Sequence, residues 1–260
     1  AIALNSSALH GARMIGPAIA GILMGIIGLA ACFFINALSF LATIVALLRM
    51  KFGPDGVRSA PKPGVLPELK EGLSYIFHHP EVYTLLISVG IISFFGFPYI
   101  SFLPVYARDI LQTGETGLGI LMGFAGAGAF TGAVSLALRS DTLKGDLTVA
   151  VSGVVFSIAL LVFSMSETIW ISYAMLYLAG VGAINQIATA NNLIQLEVPD
   201  ELRGRVMSSF TTMFLGMAPL GNLALGSLAH FTGTQNALTV GACFCLLGTL
   251  VMLLRKKRRI

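Results

Sequence analysis

The residues best suited to hold a small molecule lie in one otherwise apolar stretch that carries Tyr173, Tyr177, Asn185, Gln186, Thr189, Asn191, Asn192 and Gln195. Asn185, Thr189 and Asn192 follow i, i+4, i+7 spacing and share one face of a helix. Uncharged amides at that spacing either hydrogen-bond a neighbouring helix or line a water-filled cavity. Both readings stay open for Asn185 and Gln186, whereas Asn192 and Gln195 lie nearer the end of the stretch and read as interfacial. No catalytic set accompanies them. Glu81, Glu167 and Glu197 fall at the ends of apolar stretches, and no paired carboxylates, His cluster or activated nucleophile lies deep in one. A Gly-x-x-x-x-Gly-Lys-Ser/Thr loop is also absent, so the chain carries no nucleotide-driven motor of its own.

Other groups suit a binding wall. Phe94, Phe95, Phe97 and Tyr99 surround Pro98, with Tyr106 further on. Aromatic faces accept apolar or cationic ligands, and equally pack against a core or lipid. Met213 and Met217 are four apart on one helix face and suit an adaptable wall. Arg13 is the one Lys or Arg set a turn or so into an apolar stretch, Arg49 standing at the very end of another. It either snorkels to the nearby interface or faces a cavity as a cation for an anionic group. The adjacent His78 and His79 lack further ligands. Cys32, Cys243 and Cys245 read as small buried thiols. No metal or cofactor is expected.

These groups need elements to position them, and composition dictates which. Of 260 residues, 56% are hydrophobic and 11% charged, against about 25% charged in soluble domains. Eight stretches, at 8–28, 30–50, 82–107, 116–138, 147–166, 168–194, 206–230 and 235–254, are long enough to cross a hydrocarbon core of roughly 30 Å as helices. The fold class is all-α, a polytopic membrane protein with eight transmembrane helices. Residues 51–81 interrupt the pattern. Pro54, Pro61, Pro63 and Pro67 make their first half irregular. Leu66, Leu69, Leu73, Ile76 and Phe77 then recur at helical spacing, predicting an amphipathic helix on the membrane surface or against the bundle. Gly119, Gly123, Ala127 and Thr131, each four apart, predict a packing ridge on the fourth span.

Charge orients these spans. With residues 51–81 inside, fifteen of the sixteen Lys and Arg residues fall on the cytoplasmic side and only Arg108 outside. Cytoplasmic loops carry the Lys/Arg excess, so both ends of this chain are expected in the cytoplasm of a cell inner (plasma) membrane. The terminal run Arg255-Lys256-Lys257-Arg258-Arg259 directly follows a span and reads as an anchor on anionic lipid, not a nucleic-acid surface. The chain opens without Met, which suggests part of a longer protein.

Three stretches carry a family resemblance. Gly16-Pro17-Ala18-Ile19-Ala20-Gly21, followed by Gly25, looks like the Gly-Pro signature in the fifth helix of the antiporter branch of the major facilitator superfamily. Val198-Pro199-Asp200-Glu201-Leu202-Arg203-Gly204-Arg205-Val206-Met207-Ser208 closely resembles the loop between helices ten and eleven in the enterobactin-exporter and macrolide-efflux group. Phe97-Pro98-Tyr99 with Leu103-Pro104-Val105-Tyr106-Ala107-Arg108-Asp109 is similar to that group's seventh helix. The resemblance covers the whole chain, as helices five to twelve of a twelve-helix fold. It implies that residues 1–50 are the last two helices of the N-terminal half, 51–81 the cytoplasmic linker, and 82–260 the C-terminal six-helix half with its basic tail.

The resemblance also implies a function: secondary-active export of a small amphipathic compound of drug, macrolide or siderophore type by alternating access, with proton antiport. The partners would be that substrate, protons and the lipid bilayer, with no nucleic acid and no nucleotide. The alternatives are a partial chain or sensor and scaffold without transport, and a membrane-embedded enzyme. Candidates for the substrate cavity are Arg13, Tyr99, Tyr173, Tyr177, Asn185, Gln186, Met213 and Met217. Asp200, Arg203 and Arg205 are candidates for a cytoplasmic gate, in which arginines bond acids or helix ends in one state of the cycle. They equally fit a helix start with acids at its positive end and arginines that follow the inside rule. Gly16, Pro17 and Gly21 form a helix-packing element that the family associates with export. A coupling carboxylate is expected in helices upstream of Ala1.

Overall fold

The computed structural model describes residues 27, 31–49, 65–138 and 145–257. Every regular element among them is helical: α1 (Ala31–Arg49), α2 (Val65–His78), α3 (Pro80–Ile110), α4 (Gly114–Leu138), α5 (Gly145–Ser164), α6 (Ile169–Glu197), α7 (Asp200–Thr232) and α8 (Thr234–Lys257). All but α2, seven helices among the described residues, are long and apolar enough to cross a membrane. The expected span at 8–28 lies outside the described residues apart from Ile27, and with it Arg13, Gly16, Pro17 and Gly21. Residues 51–64, Arg139, Lys144 and the terminal basic side chains lie outside them too.

Local chemistry sets the boundaries. His79 alone separates α2 from α3, at φ −112° and ψ 92°. A residue before proline is pushed out of the helical region, and Pro80 then opens the next helix. Gly233, at φ 88°, is the whole turn between α7 and α8; a positive φ suits glycine, which lacks a Cβ. α7 begins at Asp200, six residues before the expected span, because Pro199 precedes it and Asp200 and Glu201 sit in its first turn. That turn favours acids through the helix dipole. Arg203 and Arg205 therefore stand on a helix and not in a loop.

α6 packs along both α4 and α5, α5 also meets α8, and α7 leans on α3 and α8. Lipid supplies no hydrophobic drive between helices, so small residues must let backbones approach closely. A Cβ at Gly180 would strike the Ala125 carbonyl on α4, and one at Gly128 would strike the Tyr177 carbonyl on α6. On the other side of α6, a Cβ at Gly182 would lie 2.7 Å from both the Phe156 amide nitrogen and the Ser152 carbonyl oxygen of α5. The close-packing ridge of α4 is thus Ala125, Gly128, Ala129 and Gly132. Of the expected ridge, Gly119, Gly123 and Ala127 are half-buried and Thr131 is exposed.

α3 and α7 are not uniform α-helices. α3 contains π-helical turns at Ile92–Gly96 and Tyr106–Ile110, and α7 contains one at Thr212–Gly216. Each has a proline within three residues: Pro98, Pro104 and Pro219. Proline removes one backbone donor, and a wider turn is one way a helix absorbs the loss. Pro98 leaves the Phe94 carbonyl without its usual donor four residues on. That carbonyl is met by Gly221 of α7, where a Cβ would overlap it, and the Phe95 carbonyl faces Gly241 of α8.

Two buried clusters fill the bundle. One joins Tyr106, Phe156, Phe163 and Leu176 towards the ends that carry Arg108 and Glu167; the other joins Val82, Val89, Ile194 and Val206 towards α2. Tyr106 stacks on Phe163 at 4.5 Å and donates its hydroxyl proton to the Ser164 carbonyl at 2.9 Å, which ties α3 to α5. α1 stands apart: none of it is buried against the other described residues, and Phe33, Phe34, Phe40 and Leu48 are exposed.

The close approach of α4 and α6 yields a prediction. Gly128→Leu should lower the stability of the solubilised protein by about 3 kcal/mol or more, because the side chain must displace backbone. Gly204→Ala, at an exposed helical position with nothing within 4 Å of the new carbon, should raise it by about 0.5–1 kcal/mol. Thermal unfolding of both variants checks the pair; equal effects would show that glycine's size is irrelevant at the α4–α6 contact.

Candidate functional site

The polar residues of α6 divide by direction. Asn185 shares a helical stripe with Ala174 and Leu178, eleven and seven residues before it, and with Asn192, seven after it. Those three are exposed, while Asn185 is recessed at 7% exposure. Its Oδ1 makes no hydrogen bond to the protein. A buried amide oxygen without a partner is costly, so Asn185 carries an unsatisfied acceptor on a stripe whose flanking positions are exposed. Thr189, one turn on, is also buried with an unpartnered Oγ1. Gln186 turns elsewhere: a Cβ on Gly153 of α5 would lie 3.1 Å from its Oε1 and 2.9 Å from Thr249 Oγ1 of α8. Adjacent residues on a helix point about 100° apart. Asn191 and Gln195 bond each other, through Gln195 Nε2 donating to Asn191 Oδ1 at 2.5 Å.

The aromatic candidates are mostly interior. Tyr99 is 5% exposed and meets Phe156 edge-on at 6.3 Å. Tyr173 is buried with its ring parallel to Phe124 of α4 at 4.7 Å, and Trp170 meets its edge. Tyr177 is half-buried, and its carbonyl is the one that Gly128 admits. Met213 and Met217 are both half-buried in or next to the π turn of α7. Met213 sulfur reaches α3, where a Cβ on Gly90 would lie 3.2 Å from it. Phe97 of α3 meets Phe214 of α7 edge-on at 5.7 Å, and both rings are half-buried. Phe214 was not singled out from the sequence; its i+4 relation to Phe210 was the available signal. None of these aromatic rings, thioethers and amides carries a charge.

Charge gathers instead at the end of the bundle where α6 passes into α7. Arg203 bonds Asp200 Oδ1 at 2.6 Å through Nη2 and donates from Nε to the Gln195 carbonyl at 3.2 Å. That carbonyl lies in the last turn of α6, where a cation is favoured by the helix dipole. Arg205 Nη1 reaches Glu71 Oε2 at 2.5 Å, tying α7 to α2. Gly72 makes room for it: a Cβ there would lie 3.0 Å from Arg205 Cβ. Tyr75 donates its hydroxyl proton to the Glu197 carbonyl at 3.4 Å. Burial, and then the Glu197 carboxylate, hold the Tyr75 hydroxyl above its ordinary pKa. α2 therefore lies against the bundle. Glu71, Gly72 and Tyr75 were not identified from the sequence, since no spacing rule links α2 to a helix more than a hundred residues away. His78 and His79 each donate Nδ1–H to the carbonyl four residues back, at 2.7 and 2.8 Å. Among the described residues no three His, Cys, Asp or Glu side chains converge as metal ligands do.

Known proteins share this pattern. Residues 1–260 match the family of transmembrane secretion effectors in the major facilitator superfamily. The chain is similar to the multidrug efflux pump Tap of Mycolicibacterium fortuitum, 26% identical over 253 residues that cover 95% of this chain and 61% of that protein. It is similar to the protein of the same name in Mycobacterium tuberculosis, at 27% over 232 residues, 86% of this chain and 54% of the relative. It is also similar to the staphyloferrin A transporter of Staphylococcus aureus, at 26% over 259 residues, 92% of this chain and 59% of the relative. The chain thus spans somewhat over half the length of these relatives. The match runs from its first residue to its last, and the chain belongs to the transmembrane secretion effector family of the major facilitator superfamily.

Proposed function

We propose that the full-length protein is a secondary-active exporter, not an enzyme, and that it moves a small amphipathic compound of drug, macrolide or siderophore type by alternating access. The observation that carries this reading is Asn185, a recessed amide without a protein partner on the open stripe of α6. Near-neutral surfaces of this kind bind by shape, by aromatic contact and by a few placed hydrogen bonds. Relatives named for a multidrug efflux pump and a siderophore transporter support the same class.

In this reading residues 1–50 close the N-terminal half, 51–81 link the halves, and 82–260 form the C-terminal half. Both ends of the chain face the cytoplasm across an inner membrane, as the Lys/Arg excess implies. Asn185, Met213, Met217 and Tyr177 contribute to the substrate surface. Tyr99 and Tyr173 support it from behind, and Gln186 belongs to the interior. Arg13 adds a cation from the N-terminal half, and Gly16, Pro17 and Gly21 let that helix pack closely and bend. Asp200, Arg203 and Arg205, with Glu71, form the cytoplasmic gate. Such a gate has to break and re-form during rocking, so it should be weak, and exposed ion pairs contribute only about 0.2–1 kcal/mol. Proton coupling would draw on a carboxylate upstream of Ala1.

Three outcomes are expected. Asn185→Leu should reduce efflux by about 2–10-fold, the loss of one neutral hydrogen bond, with normal amounts of protein in the membrane. Dye or drug efflux from cells checks this, and wild-type efflux would remove Asn185 from the site. Arg205→Glu should change the transport rate by up to about 5-fold with little change in the half-saturating substrate concentration. Adding Glu71→Arg should restore it; a double variant no better than the single one would sink the gate. Dissipating the proton gradient with an uncoupler should abolish efflux, and efflux that persists would rule out proton antiport.

A further inference from the structure

α3, α5, α6 and α8 meet around a small cavity of about 10 Å³ lined by Ser88, Ser157, Gln186, Cys245 and Thr249. Each of the four helices lends it a polar group, and α8 lends two. Ser88 donates its hydroxyl proton to the Leu85 carbonyl at 2.7 Å, Ser157 to the Gly153 carbonyl at 2.7 Å, and Thr249 to the Cys245 carbonyl at 2.9 Å. The Cys245 thiol points to the Ile91 carbonyl at 3.8 Å. Each hydroxyl has therefore committed its only proton to its own helix, and what remains towards the cavity is lone pairs.

Gln186 adds another acceptor. Its side chain is 3% exposed, and Oε1 makes no hydrogen bond to the protein. Gly153 leaves the space between Gln186 and Thr249 open, since a Cβ there would lie within 3.1 Å of both side-chain oxygens. The oxygens that meet there are acceptors from four spans; the donors left in the lining are the Gln186 amide N–H groups and the Cys245 thiol, and neither is bonded to Gln186 Oε1.

We propose that it is the binding site of a single structural water, which donates one proton to Gln186 Oε1 and the other to a lone pair of Thr249 or Ser157. The volume suits one water, and the lining offers the two to four polar partners such waters use. A bare cation would also meet the acceptors. It would have to leave its hydration shell for a site with no carboxylate in its lining, whereas an immobilised water gives up far less. The water bridges helices that otherwise meet at this level through van der Waals contacts and the long contact of the Cys245 thiol with the Ile91 carbonyl, so it helps α3, α5, α6 and α8 move as one body. Gln186 is then an internal anchor.

The test is a structure of the full-length protein at a resolution that shows waters, together with thermal unfolding of variants. A density peak within hydrogen-bond distance of Gln186 and of Thr249 or Ser157 is expected. Gln186→Met, close in shape but without the amide, should lower the unfolding temperature by about 3–6 °C. Thr249→Val should cost less in that background than alone, because the shared water is already lost. No density, or a direct amide–hydroxyl bond in its place, would overturn the proposal. So would a Gln186→Met variant that melts higher, or strictly additive effects. The unfolding temperature should be equal in sodium and potassium chloride; a sodium-specific rise that Gln186→Met abolishes would assign the site to a cation instead.

Discussion

The close backbone contact of α6 with α4 on one side and α5 on the other is the constraint on which the rest of the bundle depends. In water, apolar side chains would draw these helices together. In a bilayer the lipid is as apolar as Leu, and van der Waals contact at short range must do the work. Gly180 and Gly128 let α6 and α4 exchange backbone contacts, and Gly182 does the same towards α5. With both neighbours fixed, the stripe of α6 that carries Asn185 has one direction left, the open face. The stripe that carries Gln186 is turned to α5 and α8. The chemistry of each amide follows from where the glycines sit.

α3 and α7 solve a different problem. Their prolines remove backbone donors at a depth where water is not available to replace them, yet a spanning helix must satisfy its carbonyls internally. Wider turns at Ile92–Gly96 and Thr212–Gly216 spread the disruption. The Phe94 and Phe95 carbonyls are received by Gly221 and Gly241, so the irregular segment of α3 is held by α7 and α8. The same segment presents Phe97 to Phe214. Irregular backbone and the Phe97–Phe214 contact thus have a common origin in Pro98.

Charge is segregated. Ion pairs among the described residues lie near helix ends: Arg203 with Asp200 and Arg205 with Glu71 at one end, Arg108 with Asp109 at the other. Glu71 draws α2 onto α7, so α2 is physically part of the bundle formed by α3 to α8. A motion that shifts α2 would therefore be felt at the start of α7 through Arg205 and at the end of α6 through Tyr75.

Hydropathy and proline placement determined a great deal. The seven described spans fall close to their expected ranges, and the amphipathic helix α2 spans the residues whose apolar spacing called for it. Composition alone requires this, because a backbone in hydrocarbon can only be helical or a closed barrel. Local sequence did not fix the start of α7, where the turn at Asp200 is polar like a loop but folds as helix. Nor did it show that Gly128 and Gly132, instead of Gly119 and Gly123, carry the close contact, since every fourth small residue makes an equally good ridge. Asn185 and Gln186 are neighbours with near-identical chemistry, and only the helices on either side of α6 separate a stripe flanked by exposed positions from one turned to α5 and α8. Glu71 and Arg205 are ordinary surface charges until the chain brings α2 to α7. Spans and their order follow from hydropathy, which is local and additive. Which polar group meets which partner was decided by tertiary packing, because direction around a helix has meaning only when a neighbour occupies it.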